Sequence, residues 1–154
     1  MRPEPGWLAG RASRECALAK EVHAEAGVNE ECDSMSDTNE VVELVQRYFD
    51  ATWRGDVAQL RTVFDPRAIV AGEVNGQPYY KTIDEYLAGV ASRKSPAERG
   101  EKAEMELLML DVQHNIATAK LHVRMLGFNY YNYFSIMRQQ DKWLVITKTL
   151  TNVQ

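Results

Sequence analysis

Apolar and polar positions follow two different rhythms along this chain, helical in the first half and alternating in the second. Val41, Leu44, Val45, Tyr48, Phe49 and Thr52 recur at helical spacing. Asp37 with Glu40 three residues on has the form of a capping box, so an amphipathic helix is expected from Asp37 to about Trp53. Gly55 suits the left-handed residue that closes such a helix, and Asp56 with Gln59 opens a shorter one carrying Val57, Leu60, Val63 and Phe64. Pro66 stops it. "AIVAG" then reads as a short strand, and "VNGQ" holds the Asn-Gly hairpin signal, so Val74 to Tyr80 is expected to return antiparallel. "TIDE" is another capping box. It opens a third helix whose stripe is Ile83, Tyr86, Leu87 and Val90, and "ASRKSPAERG" breaks into loop.

The remainder alternates. Ala103, Met105, Leu107 and Met109 are interleaved with Glu104 and Glu106; "QHN" is a turn; Ala117, Ala119, Leu121, Val123 and Met125 are interleaved with Thr118, Lys120, His122 and Arg124. Gly127 marks the next break, with Phe128 and Asn129 as turn residues. A strand follows from about Tyr130 to Arg138, "QQDK" turns, and Trp143 to Thr151 forms the last strand. Long antiparallel strands need one face covered, and the three helices are the cover available. The expected fold is α+β, a bent sheet wrapped on helices.

Composition narrows the partners. The 154 residues, 45% hydrophobic and 26% charged, suit one domain. Met1 to Ser34 holds a single aromatic, Trp7, and is expected to be a disordered or weakly helical extension, residues 1–34, ahead of a domain over 35–154 that opens at Met35 as a natural start would. The net charge of -4 is small and Lys and Arg are scattered among acids, which argues against a nucleic-acid partner. No apolar run approaches the roughly 20 residues of a membrane span. "MRPEPGWLAG" lacks the apolar centre of a secretory signal, so the cytoplasm is the expected location. Cys16 and Cys32 both fall in the extension, and neither a disulfide, a metal site nor a cofactor is expected.

The element order, with "VVELVQRYFDATWRGDVAQLRTVFDPRAIV" early and "ATAKLHVRMLGFNYYNYFSIMRQQDKWLVITKTL" late, resembles the nuclear transport factor 2-like superfamily over about Asp37 to Asn152. Within it the likeness is greatest to the "putative lumazine-binding" group, relatives of the SnoaL-like polyketide cyclases. The resemblance implies a cone-shaped roll, a curved antiparallel sheet wrapping three N-terminal helices around a pocket, and a homodimer formed through the sheet. It implies no single reaction, because the fold hosts isomerases, dehydratases, cyclases, binding proteins and transport factors.

Catalysis of the ketosteroid-isomerase or SnoaL kind needs a carboxylate in an apolar pocket as proton shuttle and an oxyanion donor. From Val112 onward the one acid is Asp141, in a turn. Asp50, Asp65 and Glu73 read as solvated or capping, and His122 shares strand parity with Lys120 and Arg124. Lys148 stands out: by parity it follows Leu144 and Ile146 and precedes Leu150, which aims its amine into the apolar layer. Such a lysine must find a partner or lower its pKa. The catalytic candidates are therefore Lys148, His122 and Asp50, none of them a complete set, and the reading leans away from an enzyme. Tyr48, Trp53, Phe64, Tyr80, Tyr86, Tyr131 and Tyr133, with Lys148, are the expected lining of a pocket for a small planar or apolar ligand. In "MLGFNYYNYFSIMR", Tyr131 and Tyr133 are taken to face inward and Tyr130 and Phe134 outward into a dimer. A binding domain is the leading function, with a carbonyl-directed enzyme and a dimerisation module as the alternatives.

Overall fold

A computed structural model describes the backbone of residues 26–154 and the side chains from residue 34 on. The expectations for Trp7, Cys16 and the Cys32 thiol lie outside the described residues. The compact unit that carries all the candidate residues is Thr38–Gln154.

Three helices and six strands follow one another as α1 (Ala26–Arg54), α2 (Val57–Val63), β1 (Phe64–Val74), β2 (Gln77–Thr82), α3 (Ile83–Ser92), β3 (Glu104–Gln113), β4 (Ile116–Met125), β5 (Phe128–Gln139) and β6 (Lys142–Asn152). Asp37 does not cap the first helix, which begins at Ala26. No Gly or Pro occurs between Val28 and Arg54, so nothing in the chain interrupts the helix there. The other caps form as expected: the Asp56 carboxylate accepts from Gln59 N at 3.0 Å, and Thr82 with Glu85 makes a reciprocal capping box. Asn75 and Gly76, at φ 53° and 76°, form the hairpin turn between β1 and β2.

The sheet runs β2-β1-β6-β5-β4-β3. It is mixed rather than wholly antiparallel, because β6 returns beside β1 and pairs with it in parallel. The intervening helix and meander provide the long crossover that a parallel pair needs. At this junction a Cβ on Gly72 would lie 1.8 Å from the Leu150 carbonyl oxygen, so only glycine lets the two strands approach.

Three local features shift the parity expected from alternation. Leu126 and Gly127, at φ 54° and 80°, form the β4–β5 turn, so Phe128 and Asn129 are strand residues and Phe128 pairs with Met125. A bulge between Leu107 and Met109 leaves Met109 42% exposed and brings Leu110 and Val112 to the core instead. On β6, Val145 faces Ile136 while Thr147 faces Ser135, which makes Ile146 the extra residue. Trp143 and Val145 before it, and Lys148 and Leu150 after it, are the buried residues. Lys148 is thus inside as parity required, but with different companions from the Leu144 and Ile146 that suggested it.

Candidate functional site

The helices lie against one face of the sheet, and the core there is built from Val41, Leu44, Val45 and Tyr48 of α1, Leu60 and Val63 of α2, Tyr86 and Leu87 of α3, and the inner positions of β1, β4, β5 and β6. One ionisable group stands in the middle of this apolar layer. Lys148 on β6 is 3% exposed, between Val70 of β1 and Phe134 of β5 in the ladder. Its ammonium donates to Tyr48 Oη at 2.8 Å and to Tyr86 Oη at 2.9 Å. The same nitrogen lies 4.5 Å from the Tyr86 ring centroid and 5.2 Å from that of Tyr48. Helix periodicity delivers both phenols: Tyr48 is on the buried stripe of α1 and Tyr86 on that of α3, each pointing at the sheet. Around them Tyr48 meets Phe134 edge-on at 4.9 Å and Phe64 at 6.1 Å.

The electrostatics follow from burial and proximity. Burial disfavours the Lys148 ammonium, yet the two phenol oxygens outweigh that and hold its pKa above the ordinary value. Burial pushes the Tyr48 phenol up to about 12 against the opposing pull of Lys148. For Tyr86 burial pushes up too, but the adjacent ammonium, with Arg93 adding to it, brings the phenol below its ordinary value. Tyr86 is therefore the more acidic of the pair. Among the described residues no carboxylate pairs with Lys148, and the ion pairs Arg54–Asp50, Arg61–Asp84, Arg67–Asp65 and Arg99–Glu101 lie elsewhere.

Two more polar groups belong to this interior: Thr52, on the helical stripe that spacing predicts, and Asn132, which the sequence reading missed. Asn132 on β5 and Thr52 on α1 are 1% and 2% exposed; the Thr52 hydroxyl lies beside the Tyr48 phenol, whereas Asn132 Oδ1 has no hydrogen-bond partner. Such orphaned atoms are uncommon in a packed interior. Asn132 pairs with Leu150 across the ladder and so sits diagonally from Lys148 on the same face. Its signal was available as a polar residue in step with Phe134 and Ile136. Tyr130 and Tyr79 pack partly buried at the rim of this core, where Lys148 and Arg93 act electrostatically on Tyr130.

Of the expected lining, Tyr48, Phe64, Tyr86 and Lys148 come together. The other residues do not. Tyr80 is 71% exposed, alternating with the inward Tyr79 on the edge strand β2. Tyr133 is 48% exposed and Tyr131 faces the same outer surface, because Asn132, Phe134 and Ile136 occupy the inner positions of β5. The inward assignment of Tyr131 and Tyr133 is therefore reversed. Trp53 spends its indole N–H on Glu101 O at 3.0 Å and fastens the loop before β3. His122 stacks on Tyr131 at 4.5 Å on the outer face and shares a hydrogen bond with Asn129 Oδ1. Asp50 is paired with Arg54 at 2.9 Å on the exposed side of α1. Neither His122 nor Asp50 reaches the Lys148 cluster.

A separate depression of about 590 Å³ lies between α1, α2 and the start of β6, lined by Glu43, Arg47, Arg61, Phe64 and Trp143 among others. Its charges are of both signs. Among the described residues no group of three His, Cys, Asp or Glu side chains is placed to hold a metal ion, and no helix is long and apolar enough to cross a membrane.

Comparison with known proteins agrees with this architecture. A family model described as "Putative lumazine-binding" matches residues 36–151. A nuclear transport factor 2-like protein of unknown function from Shewanella baltica superposes with a TM-score of 0.70 at 18% identity, covering 78% of this chain and 96% of its own. Another from Silicibacter pomeroyi gives 0.67 at 19% identity, with 78% and 98% covered, and one from Methylobacillus flagellatus gives 0.67 at 16%, with 77% and 94% covered. Such likenesses establish the fold. No curated protein matches the chain.

Proposed function

The chain belongs to the "Putative lumazine-binding" family of the nuclear transport factor 2-like fold, and from that premise we propose that it binds a small planar ligand in the aromatic interior around Lys148. The observation that carries this reading is the buried amine held by Tyr48 and Tyr86 with no acid beside it. A cluster meant only for packing gains nothing from a charge in this position, since an apolar side chain of similar volume avoids the desolvation cost. Lys148 has three donors and gives two to the phenols, and Asn132 carries an unmet acceptor. The interior thus offers polar anchors inside apolar walls, the composition of a small-molecule site.

Catalysis stays outside the proposal, because the cluster offers donors without a proton acceptor suited to neutral pH. Tyr86 beside Lys148 could give a proton, but His122 and Asp50 stand on other surfaces. We also propose that the outer sheet face, with Tyr133, Ile116 and Met137 exposed, is covered in a homodimer, and that the protein works in the cytoplasm. Sedimentation showing a monomer at high concentration would remove the first of these, and fractionation with the cell envelope the second. The binding reading is tested by a thermal-shift screen of planar aromatic and pterin-like compounds. A ligand at one hundred times its Kd adds about 2.7 kcal/mol. A flat response to every compound would refute it.

A further inference from the structure

We infer that the depression between α1, α2 and the start of β6 is a second binding site, for a small zwitterion on an apolar body: a dipeptide of apolar residues with both ends free. Its floor is apolar, with Leu44, Phe64 and Trp143 beneath a volume of about 590 Å³, within the range of small-molecule sites. Exposed charges of both signs line it, Glu40, Glu43 and Arg47 on α1 and Lys142 on β6. Helix periodicity arranges the α1 set: positions 40, 43, 44 and 47 form one stripe, in which Leu44 is buried and the ions flank it. None of the four ion pairs among the described residues includes Glu40, Glu43, Arg47 or Lys142. A ligand of one sign meets like charge here, whereas an ammonium and a carboxylate on one body satisfy both. The spacing suits a dipeptide: Arg47 stands roughly 6 Å along the helix axis from Glu43 and roughly 10 Å from Glu40. Two extended residues span about 7 Å.

The floor adds a polar anchor. Trp143 is 5% exposed, lines the depression and has no acceptor for its indole N–H. The Arg138 guanidinium lies over its ring, 5.5 Å from the centroid. An unmet buried donor is costly, and the carbonyl or carboxylate of a seated dipeptide is the acceptor it lacks. The turn at Gln140 and Asp141, φ 48° and 62°, fixes where this tryptophan enters β6, next to Lys142. The site is separate from the Lys148 interior, with which it shares Phe64 but neither Tyr48, Tyr86 nor Phe134.

Three dipeptides with one body and different ends test this on the full chain: Leu-Phe, with both charges; N-acetyl-Leu-Phe, with the carboxylate alone; and Leu-Phe-amide, with the ammonium alone. Each is titrated by calorimetry at neutral pH into wild type, Arg47→Gln and Glu43→Gln, the two variants altering exposed side chains. Leu-Phe is expected to bind wild type about three- to fivefold more tightly than either analogue, the effect of one exposed ion pair, and the margin should shrink in high salt. Arg47→Gln should weaken Leu-Phe and N-acetyl-Leu-Phe and spare Leu-Phe-amide, while Glu43→Gln should weaken Leu-Phe and Leu-Phe-amide and spare N-acetyl-Leu-Phe. The indole N–H proton resonance of Trp143, identified by elimination with Trp7→Phe and Trp53→Phe, should move downfield as Leu-Phe is added. Binding of none of the three, an analogue as tight as Leu-Phe, or an Arg47→Gln loss equal for all three overturns the inference. An indole signal that does not move as Leu-Phe binds overturns it as well.

Discussion

Removing the two phenols tests the energetics of the buried amine most directly. Tyr48→Phe keeps the ring that packs edge-on to Phe134 and deletes the hydroxyl 2.8 Å from Lys148. Tyr86→Phe does the same at 2.9 Å. A hydrogen bond to a charged group contributes about 1.5–3 kcal/mol, so each single variant should lose roughly 2 kcal/mol. With both hydroxyls gone the ammonium has no acceptor, and stranding a buried charge costs about 3–5 kcal/mol unless the amine sheds its proton. Proton loss gives the test a second, independent axis. In wild type the Lys148 pKa is raised on folding, so its contribution is fully present at pH values below the unfolded pKa, about 10.4, and is lost as pH rises through the higher folded value. In the double variant the folded pKa falls below the unfolded one and the sign inverts. Its stability should then rise from neutral pH, where wild type is flat until the lowered Tyr86 phenol begins to titrate below about 10. Adding Lys148→Met to the double variant should restore most of the loss, since the culprit is the charge. Urea midpoints across that pH range at constant m-value provide the measurement. The reasoning is refuted if the double variant costs under about 1 kcal/mol, shows no rise with pH, or is not rescued by the added Lys148→Met substitution.

Three other outcomes are expected. Asp65, nearly buried, accepts from Arg67 N at 2.7 Å and Gln139 Nε2 at 2.9 Å, and the Arg67 side-chain hydrogen bonds first among these hold its carboxyl well below the usual range. Asp65→Asn should lose about 1–3 kcal/mol at neutral pH, and its gap to wild type should narrow as pH falls below about 4, because the contribution of a depressed carboxylate is present above its unfolded pKa and lost below it; a gap of constant size in urea titrations would exclude the role. Gly72→Ala places a Cβ against the Leu150 carbonyl, and since backbone must move, expression as soluble folded protein should fail or stability drop by about 3 kcal/mol or more, read by circular dichroism. Thr82→Ala removes the cap of α3 and should cost about 1 kcal/mol in thermal unfolding, with no change in the affinity of any interior ligand.

Much of the fold was legible because local signals agreed with one another. The Asp56 and Thr82 caps, the Asn75–Gly76 turn and the stripe of α3 each depend on a few adjacent residues, and each forms where the pattern put it. The parity failures have a different cause: they depend on counting across a place where the backbone adds a residue or turns early. The bulge at Leu107–Met109 moved Met109 outward, and the turn at Leu126–Gly127 drew Phe128 and Asn129 into β5. Parallel pairing of β1 with β6 was invisible because neighbours in a sheet are set by the crossover and not by either strand.

The tyrosines show how the same limit bears on the site. Parity divided β5 into two sets, Tyr131 with Tyr133 and Tyr130 with Phe134, but parity has no origin of its own. The origin was present in Asn132's partners: Phe134 and Ile136 continue an apolar row, whereas Ser135 and Met137 do not continue one from Tyr133. Choosing the more apolar row as inner accepts a buried asparagine, which counts against the choice only if a domain core must be free of polar groups. In a domain that takes a ligand into its core, a polar residue in the apolar row marks where that ligand is met. Lys148 obeys the same logic on the next strand, directly opposite Phe134. The two violations of apolar patterning, one strand apart on one face, locate the candidate site more sharply than the count of aromatic residues, of which Tyr80, Tyr131 and Tyr133 lie outside it.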